Sequence, residues 1–129
     1  MAKGQKIPEK MTAVAISEPG GPLVLKAEKR DVPQPGPGEI LIRVHAAGVN
    51  RPDILQRKGA YPAPPGASDL PGLEVAGEVA ALGEGAQRWR IGDQVCALTP
   101  GGGYAEYAVV HASHALPVPA GFTYTEAAA

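Results

Sequence analysis

The chain has 129 residues, of which 44% are hydrophobic and 19% charged, and its formal net charge is −1. This length suits one domain with an apolar core, and a net charge so near zero provides no strong field for nucleic acid or an anionic membrane. No apolar run reaches the roughly 18 residues of a membrane helix, so we expect neither nucleic acid nor a membrane as a partner.

Neither the N-terminus nor the cysteine content indicates secretion. Residues 1–10 carry lysines but no apolar segment of the kind that a secretory signal needs, and we predict a disordered extension there. The single cysteine, Cys96, excludes an intrachain disulfide and favours a reducing compartment. We therefore expect a cytoplasmic protein whose folded domain spans residues 11–129.

Alternating apolar residues and frequent turns predict a chain of short strands. The 17 glycines and 14 prolines punctuate the sequence, and turns that recur every 8–12 residues are typical of a sandwich or barrel. The strand at 39–46 has the clearest pattern, with Ile40, Ile42 and Val44 on one face. The other predicted strands or extended segments are 11–17, 23–29 (half-buried), 73–82, 95–98, 104–111 and 116–119. Trp89 is expected at the domain edge, and Thr123 or Thr125 as the cap of a helix near the C-terminus.

The segment 46–79 interrupts this pattern with one short helix and a rigid loop. Asn50 can cap the helix through its side-chain oxygen, and Asp53 lies in the first turn, where the helix dipole favours a negative charge. Gly59 is a natural stop for this helix. The loop that follows carries Tyr61 among several prolines, which stiffen it, so a side chain on it can be held in place at little entropic cost.

The same segment resembles the signature of the zinc-independent quinone oxidoreductases of the medium-chain dehydrogenase/reductase superfamily. The resemblance extends over residues 11–129, in order and spacing, through EPGG, PGPGEILIRVHAAGVN, NRPDILQRKGAYPAPPGASDLPGLEVAGEV, IGDQV and PGGGYAEY. It implies a mainly β fold, namely the GroES-like, strongly twisted and partly open β-barrel with one or two short helices. It covers only the N-terminal, substrate-side domain of such enzymes.

The resemblance also implies a function. In the complete enzyme, expected to be a homodimer, a hydride would pass from NADPH or NADH to a small-molecule quinone or related conjugated carbonyl. The dinucleotide would be bound mainly by a second domain, which follows in such enzymes and is absent from this chain. The sequence stops inside a helix that has barely begun, so we interpret it as a fragment and expect the 129 residues alone to be inactive.

Zinc is not expected. Zinc members of the superfamily carry a cysteine where this chain has Asn50, and Gly-His-Glu where it has Gly72-Leu73-Glu74. Their cysteine-rich lobe is also missing. The three histidines, His45, His111 and His114, do not have the spacing of zinc ligands.

Four residues are the candidates for the site. The resemblance places Tyr61 and Asn50 at the substrate and nicotinamide cleft, as catalytic residues, with Asn50, Arg51 and Asp53 contacting the cofactor. Each has a plainer structural explanation: loop packing for Tyr61, helix capping for Asn50 and Asp53, and a solvated side chain for Arg51. Glu74 either faces the cleft or is solvated.

Two alternatives remain open. An enone or enoyl reductase would use the same domain on a different acceptor. A non-catalytic binding module of the co-chaperonin type shares the barrel, but it relies on a mobile apolar loop, whereas the prolines at 62, 64 and 65 stiffen this one.

Overall fold

Residues 7–129 are described by the computed structural model, and strands are their main regular structure. The strands and α-helices are β1 (Lys10–Ile16), β2 (Leu25–Asp31), β3 (Glu39–Ala47), α1 (Arg51–Arg57), β4 (Glu74–Leu82), β5 (Gln94–Leu98), β6 (Tyr107–His111), β7 (Ala115–Pro117) and α2 (Tyr124–Ala127). Short 3-10 helices occupy Pro22–Val24 and Ala112–His114. This arrangement confirms the predicted fold class.

The strands form two antiparallel sheets that do not close into a complete barrel. One sheet pairs β1 with β2, and the other has the order β6-β3-β4-β5-β7. The two are linked just before β6, where Ala13 bridges to Ala105 and the Val14 N–H donates to the Tyr104 carbonyl over 2.8 Å. Register shifts between β3 and β4 mark bulges that increase the local twist.

Strand β3 lies between β6 and β4, and its apolar side chains point to both faces of the sheet. Ile40 and Ile42 belong to one buried cluster with Val75 and Val79 of β4, while Leu41 points into a second cluster beneath β1. Burial on both faces is what the nearly continuous apolar run of β3 favours. The predicted shared face of Ile40, Ile42 and Val44 is confirmed, with Val44 packed at the border of the first cluster.

Strand β2 differs from its prediction as a half-buried strand. Pro22–Val24 forms a 3-10 turn instead of strand, Leu23 is 85% exposed, and every residue of β2 except Arg30 is exposed. Alternation shows which face of a strand a neighbouring layer would cover. It does not show whether the fold supplies that layer, and this two-stranded sheet has none over β2.

Two aromatic residues are also placed differently from their predictions. Trp89 is buried in the first cluster, not at the edge, and its indole N–H donates to the Ala112 carbonyl over 2.9 Å. Tyr104 lies outside β6, which begins only at Tyr107. Thr123 is confirmed as the cap of α2, where its hydroxyl accepts from the Glu126 N–H and Glu126 bonds back to Thr123.

The predicted N-terminal extension, residues 1–10, lies largely outside the described residues. Within the described part, Ile7 packs partly buried against the second cluster and Lys10 opens β1. Among residues 7–129, no helix has both the length and the apolar character needed to cross a membrane.

Candidate functional site

The turn from β3 into α1 is the structural centre of the candidate site. Asn50 has extended backbone angles at the N-cap position, and Pro52 falls in the first turn, where its missing N–H costs no helical hydrogen bond. Gly59 follows the helix with a φ of +86°, a left-handed conformation that ends it as predicted. The sequence therefore fixes both ends of α1.

Asp53 joins this turn to two other segments. Its side chain accepts hydrogen bonds from the Asn50 N–H (2.9 Å), the Tyr104 hydroxyl (2.7 Å) and the Gly72 N–H (3.3 Å). The residue is only 5% exposed. The proposed capping role of Asp53 is thus seen in the structure, and the same carboxylate also ties the start of α1 to the loops at Gly72 and Tyr104.

Tyr104 is the residue that sequence reasoning missed. Burial, together with its hydrogen bond to the Asp53 carboxylate and the charge of that group, raises the pKa of the Tyr104 phenol above its usual value. Tyr104 therefore remains a protonated donor to Asp53 at neutral pH. Fifty-one positions separate the two residues, and no local pattern connects them; only the fold brings the loop before β6 against α1.

The Asn50 side chain makes a different contact from the one predicted. Asn50 and Asp53 form a capping box. The Asn50 backbone N–H donates to the Asp53 carboxylate, but the contact between the Asn50 side chain and the Asp53 N–H is not a full hydrogen bond. The Asn50 amide nitrogen instead donates to Glu74 Oε1 over 2.8 Å. This hydrogen bond joins the segment after β3 to the start of β4. The Glu74 carboxylate thus competes with the helix N–H groups for the Asn50 side chain.

Arg51, directly after Asn50 in the chain, and Tyr61 both lie at the surface. Arg51 is exposed, and its side chain makes no hydrogen bond or ion pair with residues 7–129. Tyr61 is 36% exposed, on the loop between α1 and β4. Of the four predicted site residues, the structure brings Asn50 and Asp53 into direct contact, whereas Arg51 and Tyr61 are each accessible and share no hydrogen bond with them.

The glycine run 101–103 packs the chain closely and does not resemble a phosphate loop. Gly102 has a φ of +85°, and its N–H donates to the Leu70 carbonyl over 2.9 Å. A Cβ on Gly101 would lie 2.8 Å from the Ser68 carbonyl oxygen. These glycines therefore allow two backbone segments to approach each other, as their lack of a following helix predicts.

Two further features bear on ligands. Within residues 7–129, no group of three or more His, Cys, Asp or Glu side chains is close enough together to hold a metal ion. An open groove of about 640 Å³ runs between β6 and the Thr99–Gly102 loop, and none of the four predicted site residues lines it. The candidate site is thus the surface around Asn50, away from this groove.

Comparisons with known proteins agree with the fold and the sequence signature. Residues 36–120 match the alcohol dehydrogenase GroES-like domain. The whole chain is 39% identical, over 131 aligned positions, to a quinone oxidoreductase of Rattus norvegicus, and it spans 39% of that protein's length. It therefore corresponds to well under half of that relative.

Solved structures show the same fold. The human synaptic vesicle membrane protein VAT-1 homolog-like protein superposes with a TM-score of 0.85 and 34% identity, over 92% of this chain and 38% of that one. A cobalt- and zinc-bound thermostable alcohol dehydrogenase from Pyrobaculum aerophilum superposes with a TM-score of 0.80 and 36% identity, over 92% of this chain and 44% of that one.

Proposed function

The chain belongs to the alcohol dehydrogenase GroES-like domain family, and we propose that it is the substrate-side domain of an NAD(P)H-dependent quinone oxidoreductase. The likeness to a quinone oxidoreductase along the whole chain supports this reaction class. The observation that carries the proposal is the state of Asn50, which is held by two carboxylates yet keeps one amide N–H without a partner among the described residues.

A free amide N–H suits a carbonyl ligand. The Asn50 amide has two N–H donors, of which Glu74 uses one, and the other can donate to a quinone oxygen or to the carboxamide of a nicotinamide ring. The nicotinamide, when bound, supplies the hydride. Asn50 thus has a binding and orienting role, and its fixed backbone reduces the entropy lost on binding.

The other candidates have separate parts in this proposal. Tyr61 offers a flat, partly exposed ring for stacking and a hydroxyl for one hydrogen bond. Arg51 offers an exposed positive charge near a cofactor phosphate. Asp53, whose two oxygens are occupied by internal donors, contributes to cofactor binding through the position it gives Asn50.

The acceptor proposed is one that needs no proton from the enzyme in the hydride step. Around Asn50, the buried carboxyl of Asp53 is engaged by three donors, and the Tyr104 phenol, with its raised pKa, donates to Asp53. Neither is free to act as a general acid. A quinone fits this arrangement, because its reduced oxygens can take protons from water.

We further propose that the enzyme works without a resident zinc ion, as a cytoplasmic homodimer that binds NADPH or NADH. Asn50 and Leu73 are poor zinc ligands, and the Asn50 amide is already engaged with Glu74. Elemental analysis of protein purified without added metal is expected to find far less than one zinc per chain. Stoichiometric zinc would contradict the metal-free proposal and favour the arrangement of metal-bound relatives.

An apolar surface next to the site supports contact with a second domain. Val49, directly before Asn50, is 76% exposed, and Leu98, which pairs with Glu74 across β4 and β5, is 65% exposed. The two side chains flank the contact between Asn50 and Glu74, and neighbouring exposed apolar side chains, unlike isolated ones, favour a protein–protein contact. We propose that this surface faces the nucleotide-binding domain.

The test is NAD(P)H oxidation by the polypeptide expressed from the full reading frame, with a quinone and with an enone as acceptors. We expect turnover of the quinone, and none above the buffer blank from the 129-residue chain alone. Turnover of the enone only would identify an enone reductase. No turnover, together with a ring-sized species on gel filtration, would favour the co-chaperonin type of module.

Variants of Tyr61 test its part. Tyr61→Phe keeps the ring and removes one hydrogen bond, which corresponds to a loss of about two- to tenfold in kcat/KM. Tyr61→Ala removes the stacking surface as well and is expected to cost more, chiefly through KM. Unchanged kinetics in both variants, or a loss that only follows a large fall in Tm, would assign Tyr61 to loop packing.

A further inference from the structure

Glu74 is pressed onto Asn50 by the backbone around it. The Gly48 N–H donates to the Glu74 carbonyl over 3.0 Å, which fixes the start of β4 beside the end of β3. A Cβ on Gly48 would lie 2.3 Å from Glu74 Oε1 and 2.4 Å from the Ala128 carbonyl oxygen. The Glu74 side chain therefore passes over Gly48 through a space that any larger residue would fill, and its carboxylate contacts the Asn50 amide.

This contact determines which end of the amide is presented outward. An amide offers an oxygen at one end and an NH₂ group at the other, and a rotation about its last bond exchanges them. An ionised carboxylate only accepts, so the amide nitrogen must face Glu74 Oε1. Without Glu74, only the weak contact of the Asn50 side chain with the Asp53 N–H would favour one orientation of the amide over the other.

We infer that Glu74 is a positioning residue, which acts through Asn50 by fixing the orientation of its amide. The inference rests on the proposed function of Asn50, but the orientation itself can be measured separately. Glu74 also has a purely structural alternative, in which its carboxylate only joins β3 to β4. The two differ in whether the effect of Glu74 on activity depends on Asn50.

The orientation can be measured in the 129-residue chain by NMR. Asn50 is the sole asparagine in the sequence, so a sample labelled with ¹⁵N-asparagine gives a single side-chain amide pair. We expect one of its two protons to be shifted downfield and slowed in exchange, as for a donor to a carboxylate. Glu74→Ala should abolish both signs, and Glu74→Gln should restore them in part, since its amide oxygen can accept.

Glu78→Gln is the matched control for this measurement. Glu78 lies on the same strand as Glu74 and is paired with Arg43 over 2.7 Å, without contact to Asn50. The Asn50 amide signals should be unchanged in this variant. Signals that are the same in wild type and in a folded Glu74→Ala variant would overturn the positioning role, whatever the activity of the enzyme.

A double-mutant cycle in the complete enzyme separates positioning from stabilisation. Glu74→Ala is expected to lower kcat about fivefold or more in the wild-type background, and by no more than about twofold when Asn50 is already alanine. Equal losses in both backgrounds would make Glu74 structural and overturn the inference. An Asn50→Ala enzyme with full activity would instead overturn the proposed function of Asn50, while the NMR result would still report on the contact.

Discussion

Two aspartates show how the same side chain behaves in two regions of this domain. Asp53 accepts three hydrogen bonds at the start of α1 and is 5% exposed. Asp69, at the end of the proline loop, accepts a two-pronged pair from Arg30 on β2, and its side chain is 75% exposed. Both carboxylates are well paired, but only the first has exchanged most of its water for protein donors.

The difference extends to the surroundings of each aspartate. Near Asp69, the ion pairs of the β1–β2 sheet, Lys10 with Asp31 and Arg30 with Glu28, involve side chains from 32% to 80% exposed. Water competes for each charged group there, so a group that loses its partner is solvated instead of being left buried without a hydrogen bond. Near Asp53, Gly72 is buried and Tyr104 and Asn50 are only partly exposed, so water reaches the donors that would lose their partner less easily. The two regions should therefore respond very differently to the same substitution.

The largest expected effect comes from Asp53→Ala. It would leave the Tyr104 hydroxyl and the N–H groups of Asn50 and Gly72 without their partner, and we expect a loss of about 2–4 kcal/mol in the free energy of unfolding. Asp69→Ala is the matched control and should cost less than about 1 kcal/mol. Urea unfolding of both variants is the measurement. Similar losses in the two variants would mean that burial is not what distinguishes these regions.

A smaller effect is expected from Tyr104→Phe, which removes one donor to Asp53 and keeps the ring. We expect a loss of about 1–2 kcal/mol at neutral pH, since Tyr104 is only partly buried. The folded protein holds the Tyr104 pKa above the unfolded value near 10. Folding therefore favours the protonated phenol. Its contribution to the free energy of unfolding is present below pH 10 and is lost as the pH rises above 10.

The pH dependence gives this prediction its own control. Between about pH 10 and 12, the stability of the wild type should fall more steeply than that of Tyr104→Phe, because only the wild type loses the contribution of the Tyr104 proton. Thermal unfolding across this range measures both slopes. Parallel slopes would mean that the phenol and the Asp53 carboxylate do not interact as the structure shows.

How far the sequence predicts each region depends on the distance between the interacting residues. The N-cap position of Asn50, the stop at Gly59 and the alternation of β3 are local patterns, and all three are confirmed. The contacts of Asp53 with Tyr104 and of Asn50 with Glu74 join residues 51 and 24 positions apart, and no spacing rule predicts them. The failure at β2 has the same origin, because burial there depends on a layer that other segments do not provide.

The smallest expected effect is that of the Arg30–Asp69 pair, which connects β2 to the loop that carries Tyr61. Hydrogen bonding to Arg30 and the positive charge of Arg30 lower the pKa of the Asp69 carboxyl. Folding therefore favours the ionised carboxylate. Its contribution to the free energy of unfolding is present above the ordinary aspartate pKa of about 3.9 and is lost as the pH falls through and below that value. Because both side chains are accessible, we expect a coupling of about 0.2–1 kcal/mol, weaker in high salt.

A double-mutant cycle of Arg30→Gln and Asp69→Asn, measured by urea unfolding in low and high salt, determines this coupling. Neutral replacements of similar shape keep the packing, so what remains is the electrostatic part of the pair. A coupling above about 2 kcal/mol, or one unaffected by salt, would mean that Asp69 is shielded in solution as Asp53 is, and the contrast between the two regions would no longer hold. A coupling at or below the expected range leaves the proline loop to be stiffened mainly by Pro62, Pro64 and Pro65. In that case Asp69→Asn should leave the Tyr61-dependent kinetics of the complete enzyme unchanged, because the ring does not depend on this ion pair for its position.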